Sequence, residues 1–227
     1  MKFIILAALL TGSPAPAASN VTPQQALTAI ADEAQTGSLI VSKGDCLAVK
    51  IFSGSSYTHI AAVVEHDGEM LVYDSTGGAG VRKQSLGDYL TVQNDQTLHF
   101  FHPRNPLSPS RARRFQEHLE SQLGRPYAIH HHLTGNRTAG LHCSEYVTDA
   151  LIAADLLRAK QPPRVSPASL VVGILKAELY EPGAVVHLIR APLEPPACAN
   201  WCSRLWFDTK VCTRTCFSKL RGWFFCK

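Results

Sequence analysis

The sequence predicts an α+β domain in which a small, largely antiparallel sheet packs against helices. Three observations lead to this prediction. The chain has 227 residues and a 45% apolar share, which suits one core of ordinary size. Short β-rich runs separated by Gly, Ser and Asp clusters begin after Gly44. Longer stretches with apolar residues at helical spacing flank those runs on both sides.

Helices are predicted at both ends of the domain. Thr22, followed by Pro23 and Gln25, has the character of a helix cap and first turn, and Gly37 would end that helix. Three later amphipathic stretches predict helices at 108–123, 143–157 and 166–179.

Strands are predicted between and after these helices. Their turn residues are Gly, Ser and Asp, and their interiors are rich in Val, Ile and aromatic residues. The predicted strands cover 47–52, 59–65, 70–75, 98–101 and 184–189.

The hairpin from 59 to 76 contains the pair Asp67-Gly68, which is favoured in two-residue turns. With that loop, residues that face each other have numbers that sum to 135, so Ala61 faces Asp74. His59 then lies on the same face as Asp74, as its diagonal neighbour about 7–8 Å away. A carboxylate at that distance can orient an imidazole that acts as a base.

Cys143 follows a Gly-rich loop and opens a predicted helix. Unpaired backbone N–H groups at a helix N-terminus stabilise a thiolate, which lowers the thiol pKa from about 8.5. The same groups can bind the oxyanion that forms when a thiolate attacks a carbonyl. We therefore predict Cys143 as nucleophile, His59 as base and Asp74 as orienting acid. Each residue taken alone also has an ordinary interpretation, as a disulfide half, a buried hydrogen-bonded histidine or a turn cap.

Five short strings carry a family resemblance: GDCL at 44–47, YTHIAAVV at 57–64, VYDS at 72–75, GRPY at 124–127 and CSE at 143–145. With them, the region from about 44 to 157 resembles the YiiX/YaeF-like permuted branch of the NlpC-type papain-fold superfamily. The resemblance implies a circularly permuted papain-like fold, in which the histidine strand precedes the cysteine helix. It also implies a Cys, His and acidic-residue site for amide or ester bonds, carried by Cys143, His59 and Asp74. The acid of this branch is commonly Glu, so Asp74 departs from the pattern.

Two other residues compete for catalytic roles. Cys46 follows an Asp, as the nucleophile does in unpermuted NlpC-type enzymes, but the residues after it are typical of a strand. It therefore lacks the helix N-terminus that would activate it, and Cys143 is the preferred nucleophile. Glu145 belongs to the CSE string, and we expect it to have a structural role.

Three consecutive histidines, His130 to His132, could be metal ligands, with His142 as a possible fourth. Adjacent residues cannot all converge on one ion without unusual backbone geometry, and no nearby carboxylate or cysteine pattern completes a site. A polar loop is the preferred interpretation, and the sequence predicts no metal or other cofactor.

The first eighteen residues have the layout of a Sec-type signal peptide. Lys2 precedes an apolar run at 3–10, and small residues then lead to a cleavage site near Ala17 or Ala18. The run is too short for a membrane span, which needs about 20 apolar residues. We therefore predict a secreted or periplasmic protein, a location in which disulfides form.

The prolines Pro192, Pro195 and Pro196 mark a predicted boundary between a catalytic domain at 19–195 and a tail at 196–227. The net charge of +4 is concentrated in this tail, which holds six basic residues and one acid, and the body is close to neutral. Nucleic acid is therefore not an expected partner of the body. The tail's mixture of aromatic and basic residues suits an anionic membrane or envelope surface, or packing against the catalytic domain.

The tail also contains five of the seven cysteines. Two pairs with i to i+4 spacing predict a hairpin of two short helices, stapled by nested disulfides. Four cysteines permit three pairings, and a zinc site is the competing interpretation. Cys226 is left over. The nested arrangement joins Cys198 to Cys216 and Cys202 to Cys212.

Together these features predict an exported thiol hydrolase that cleaves amide bonds, with peptide, peptidoglycan or lipid-like acyl groups as candidate substrates. One alternative is a thiol acyltransferase or lipid esterase at a membrane surface. Another is a non-catalytic envelope-binding module that keeps only the fold.

Overall fold

A computed structural model of the chain, which describes residues 19–43, 50, 54–93, 95–189 and 200–225, contains a seven-stranded sheet with helices on both faces. The strand order is β1-β7-β6-β2-β3-β4-β5, and every neighbouring pair is antiparallel except β1 and β7. The predicted α+β class is confirmed. The strands are β1 (Ser19–Val21), β2 (Leu39–Lys43), β3 (His59–His66), β4 (Glu69–Thr76), β5 (Gly80–Ser85), β6 (Thr97–Pro103) and β7 (Tyr180–Leu188).

The described residues also form helices, which pack on the two faces of this sheet. Long helices alternate with two very short ones, of which one is a 3₁₀ turn at Pro162–Arg164. The α-helices are α1 (Pro23–Ala31), α2 (Leu86–Val92), α3 (Pro109–Ser121), α4 (His130–Thr134), α5 (Cys143–Ala153), α6 (Pro167–Lys176) and α7 (Trp201–Phe225).

The sheet is buried on both faces, and β3 shows this most clearly. Ala62 and Val64 belong to an apolar cluster shared with α3, α5 and α6, while Ala61 and Val63 belong to a second cluster shared with α1 and α2. A strand covered on both sides has a continuous apolar run instead of strict alternation. Each fully buried side chain of Val or Leu size contributes about 1.5–3 kcal/mol, so the centre of the sheet is a stable platform.

The start of α1 follows the predicted capping pattern. The Thr22 hydroxyl accepts from the Gln25 N–H at 3.3 Å, and the Gln25 carbonyl oxygen accepts from the Thr22 N–H at 2.9 Å. The helix ends at Ala31, with Asp32 as its C-cap, and does not reach Gly37. The helices predicted at 108–123, 143–157 and 166–179 are present as α3, α5 and α6, each a few residues shorter than predicted at its C-terminal end.

Several elements were not predicted. The central strand β2 lies between β3 and β6, and its short apolar run gives no period that distinguishes a strand from a helix. Strand β5 and helix α2 were also missed, and with them the second hairpin, β4 to β5. The described residues do not include the predicted signal peptide at 1–18, Cys46 and most of the strand predicted at 47–52, or the prolines Pro192, Pro195 and Pro196 of the predicted boundary.

The predicted helical hairpin of the tail is wrong, because the tail is one continuous helix, α7. A helix rises about 1.5 Å per residue, so Cys202 and Cys212 lie about 15 Å apart, too far for a disulfide. Cys202, Cys212 and Cys216 are free and exposed. Cys198, the predicted partner of Cys216, and Cys226 lie outside the described residues.

Candidate active site

The predicted nucleophile, Cys143, is the first residue of α5 and is buried. His142 is the cap of this helix. Its Nδ1 accepts from the Glu145 N–H at 3.3 Å, and its carbonyl accepts from the Tyr146 N–H at 3.0 Å. The first N–H groups of a helix have no partner inside the helix. Those of Cys143 and Ser144 are thus the donors left beside the sulfur, where an oxyanion would form.

The predicted base and acid meet in the β3-β4 hairpin. Ala62 faces Tyr73 across the strands, which is the predicted register. Asp67 has a φ of 51°, as expected in a two-residue hairpin turn with left-handed residues. His59 Nε2 lies 3.3 Å from Asp74 Oδ2, and both side chains are buried. The contact is a close ion pair, since its angles are not those of a directed hydrogen bond. The other ring nitrogen, Nδ1, is the one left for the thiol.

Arg82 is a site residue that the sequence prediction missed. It faces Asp74 across β4 and β5, and its Nε donates to Asp74 Oδ1 at 2.8 Å. Its Nη2 donates to Oδ2 of the same carboxylate at 3.3 Å. Arg82 therefore contacts both oxygens of Asp74, and the Oδ2 atom also lies beside His59. The glycine pair Gly77-Gly78 after β4 was the sequence signal for a second turn that brings Arg82 opposite Asp74.

These contacts place the pKa of the Cys143 thiol below the pKa of the His59 imidazole, which is the reverse of their ordinary order. Burial raises the pKa of the Cys143 thiol, but the neighbouring His142 and His59 outweigh burial and lower it to about 5. Burial lowers the pKa of His59, but contacts with Asp74 and Cys143 outweigh that effect and raise it to about 10. Burial also raises the pKa of Asp74, and contacts with His59 and Arg82 bring it below its ordinary value. Cys143 and His59 therefore form a thiolate–imidazolium pair near neutral pH.

Two imidazoles, His59 and His142, lie beside Cys143, and their environments differ. His142 Nε2 donates to the Pro163 carbonyl at 2.7 Å, and its Nδ1 accepts from the Glu145 N–H at 3.3 Å and lies 3.2 Å from Ser144 Oγ, in addition to the contact with Cys143. His59 faces a carboxylate, which stabilises the protonated ring. His59 therefore suits the predicted role of base, and His142 caps α5. The position immediately before the helix was the sequence signal for this capping role.

Glu145 lies in a buried ion pair away from the sulfur. Its Oε2 accepts from His131 Nδ1 at 2.8 Å, and its Oε1 lies 3.2 Å from Arg137 Nε. His131 is fully buried in α4, so the polar loop predicted for the three histidines is wrong at this position. The short helix α4 buries His131, because Glu145 supplies a hydrogen-bond acceptor for this histidine in the interior. This pair joins α4 to α5.

The histidines near the site do not fit a metal ion. His131 Nε2 accepts from the Thr138 N–H at 2.7 Å while Nδ1 donates to Glu145, so neither nitrogen has a free lone pair. Both nitrogens of His142 are likewise engaged. Within residues 19–43, 50, 54–93, 95–189 and 200–225, no three His, Cys, Asp or Glu side chains cluster as metal ligands would.

A narrow cleft with a volume of about 20 Å³ lies at Cys143, between α4 and the N-terminus of α6. A space of this size holds about one water molecule, and it is far smaller than most ligand pockets. Its lining combines hydroxyl, imidazole and apolar groups from Ile129, His132, His142, Cys143, Ser144, Ser166 and Pro167.

Comparison with known proteins gives a structural likeness. A scan of protein-family models found no match for this chain, and a search of curated proteins also found none. Among solved structures, the chain is similar to the crystal structure of the metalloprotein YiiX from Escherichia coli O157:H7, with 17% sequence identity and a TM-score of 0.48. The match covers 66% of this chain and 96% of YiiX. It concerns the fold and not the activity.

Proposed function

We propose that this protein is a thiol hydrolase of a circularly permuted papain-like kind, which cleaves amide bonds with Cys143, His59 and Asp74. The observation that carries the proposal is the position of a low-pKa Cys143 at a helix N-terminus, in contact with an imidazole held by Asp74. An activated nucleophile, a base and a group that orients the base are the parts that covalent acyl chemistry needs. A buried structural cysteine does not need any of them.

In the first half of the reaction, the Cys143 thiolate attacks the substrate carbonyl carbon and the carbonyl electrons move to oxygen. The N–H groups of Cys143 and Ser144 donate to that oxyanion. The intermediate collapses as the carbon–nitrogen bond breaks. His59 gives its proton to the leaving amine, and an acyl thioester remains on Cys143.

In the second half, neutral His59 removes a proton from a water molecule, which attacks the thioester carbonyl. The carbon–sulfur bond then breaks, the acid product leaves, and the Cys143 thiolate and His59 imidazolium are restored. Throughout both halves Asp74 stabilises the charged imidazole, and Arg82 holds the Asp74 carboxylate in place. The expected export of the protein makes cell-wall peptides one candidate class of substrate.

A second candidate is a thiol acyltransferase or lipid esterase, which uses the same thioester but draws the acyl group from a lipid. The observation that favours it is the helix α7, whose Trp201, Trp206 and Phe217 side chains are exposed. A lipid contact beside the enzyme would supply such a substrate. The two functions differ in the donor of the acyl group and share Cys143.

The proposal predicts a thioester on Cys143 that can be trapped. Brief incubation with an activated ester and with peptide anilides, followed by acid quenching and peptide mapping, should give one acyl group on Cys143 together with product release. Cys212→Ala is the matched control, because it removes an exposed thiol far along the tail and should leave both signals unchanged.

Cys143→Ala should abolish both signals. Equal turnover in Cys143→Ala would overturn the proposal. A Cys143 that forms no adduct with any substrate of the panel, and alkylates no faster than Cys212, would favour a non-catalytic binding module instead.

A further inference from the structure

Helix α7 has an exposed apolar face that the body of the protein does not cover. Trp201, Trp206 and Phe217 are 77%, 62% and 72% exposed, and Leu205 and Leu220 are also exposed. With successive residues about 100° apart, these five positions fall within an arc of roughly 160°. The three described tail cysteines, Cys202, Cys212 and Cys216, fall within the same arc. The packing of the aromatic residues onto the catalytic domain, considered as an alternative above, is not seen for these side chains.

Two threonines also fall within this arc, and both are internally satisfied. Thr209 Oγ1 donates to the Leu205 carbonyl at 2.7 Å, and Thr213 Oγ1 donates to the Thr209 carbonyl at 2.8 Å. A hydroxyl bonded to its own helix needs no water for that bond, and its methyl group remains on the surface. The threonines therefore do not interrupt the apolar character of the arc.

The rest of the helix circumference carries most of the basic residues of α7, together with Asp208 and the partly buried Phe207 and Val211. Arg204, Lys210, Arg214 and Arg221 fall outside the arc by the same spacing, and Lys219 lies at its margin. Lys210 also lies over the Trp206 ring, 5.0 Å from its centroid, at one edge of the apolar face. Basic residues along the border of an apolar face are placed where lipid phosphates lie when a helix rests in a bilayer interface.

We propose that α7 binds the surface of an anionic lipid bilayer, parallel to the membrane plane, with its apolar arc among the acyl chains and its basic residues at the headgroups. A hydrated envelope polysaccharide offers the charge but no apolar phase for the tryptophans and leucines. If a second copy of α7 packed on this arc, the contact would cover only a narrower strip of it. Such a contact would also bring two cationic helices together. In the described part of the chain, no helix is long and apolar enough to span a membrane, which agrees with an interfacial position.

Tryptophan fluorescence tests the proposal directly, because all three tryptophans of the chain, at 201, 206 and 223, lie in α7. The full-length protein is titrated with vesicles of phosphatidylcholine alone and of phosphatidylcholine with phosphatidylglycerol. With the anionic vesicles we expect a blue shift of the emission and binding at least about tenfold tighter than with neutral vesicles. Added salt should weaken this binding.

Two variants with the same change in charge separate insertion from electrostatic attraction. Leu205→Asp places a carboxylate inside the apolar arc, and Ser203→Asp places one outside it, two residues away. Both side chains are exposed, so neither change should affect folding. We expect Leu205→Asp to weaken vesicle binding by about tenfold or more, since a charge cannot enter the acyl region cheaply. Ser203→Asp should weaken binding by only a few fold.

Each outcome decides between the possible partners. Equal loss in both variants, or no blue shift, would show that the apolar arc does not insert and would overturn the proposal. Concentration-dependent dimers without vesicle binding would assign the arc to a second copy. Cys143→Ala should bind vesicles as well as the natural sequence does, so this proposal can fail or succeed independently of the thiol hydrolase proposal.

Discussion

Replacing His59 by alanine should lower kcat/KM by about 10³-fold on any substrate that the enzyme turns over. Two effects combine in this loss. The variant has no group to protonate the leaving amine or to activate water. It also lacks the cation that lowers the thiol pKa, so less Cys143 is present as thiolate near neutral pH. Steady-state kinetics across a pH series measures both effects.

The matched control is the other imidazole beside the sulfur. In His142→Asn, the new side chain can still cap α5, because asparagine is among the best residues at that position. The pKa of Cys143 should rise because the His142 contact that lowers it is lost, and at a pH where the thiol is ionised we expect kcat/KM to change by less than about tenfold. If the two variants lost activity equally, or if His142→Asn lost more than His59→Ala, the assignment of His59 as the base would be wrong.

Replacing Glu145 by alanine should lower the free energy of unfolding by about 3–5 kcal/mol, the usual cost of removing one partner of a buried ion pair. Both side chains of the Glu145–His131 pair are fully buried, and their separation is 2.8 Å. Without the carboxylate, His131 Nδ1 has no acceptor in the interior. Arg137 is half-exposed and can turn to water, so it adds little to this cost. Urea denaturation followed by circular dichroism measures the change.

Glu117→Ala is the matched control for stability. Glu117 lies 3.9 Å from Arg113 on the surface of α3, and both side chains are mostly exposed. An exposed pair one helical turn apart contributes about 0.3–0.5 kcal/mol, so the control should unfold almost like the natural sequence. Similar small losses in both variants would contradict the structural role of Glu145.

The hairpin of β3 and β4 was predictable because its information is local. The Asp67-Gly68 turn fixes the register, and the register alone brings His59 and Asp74 together before any family resemblance is considered. Cys143 was predictable for a similar reason, since a loop followed by a helix start is visible within a few residues. The contact between Cys143 and this hairpin depends on long-range packing, and the spacing along the chain does not determine it.

The parts that were not predicted depend on neighbours distant in sequence. Strand β2 is short and buried on both faces, so its residues show no period, and its place follows from pairing with β3 and β6. His131 is buried because Glu145, fourteen residues later, supplies its partner. In the tail, the regular cysteine spacing predicts disulfides between two helices, but the structure has a single unbroken helix, Trp201–Phe225.

The pH dependence of Cys143 alkylation tests the central claim most directly. Iodoacetamide is added over a pH series, and peptide mapping follows each cysteine separately, so the exposed Cys202, Cys212 and Cys216 provide internal references. As the pH falls through about 5, the Cys143 thiolate gains a proton and alkylation should be lost. As the pH rises through about 10, His59 loses its proton, and kcat/KM should fall because the leaving group has no acid.

In His59→Ala, the midpoint of Cys143 alkylation should move to higher pH, since the cation that favours the thiolate is gone. The account predicts that Cys143 in the natural sequence is alkylated with a midpoint near pH 5, well below the value of about 8.5 for an ordinary free thiol. A single rise of Cys143 alkylation near pH 8.5, the ordinary value of a free thiol, that is unchanged in His59→Ala would contradict the thiolate–imidazolium pair and the thiol hydrolase with it.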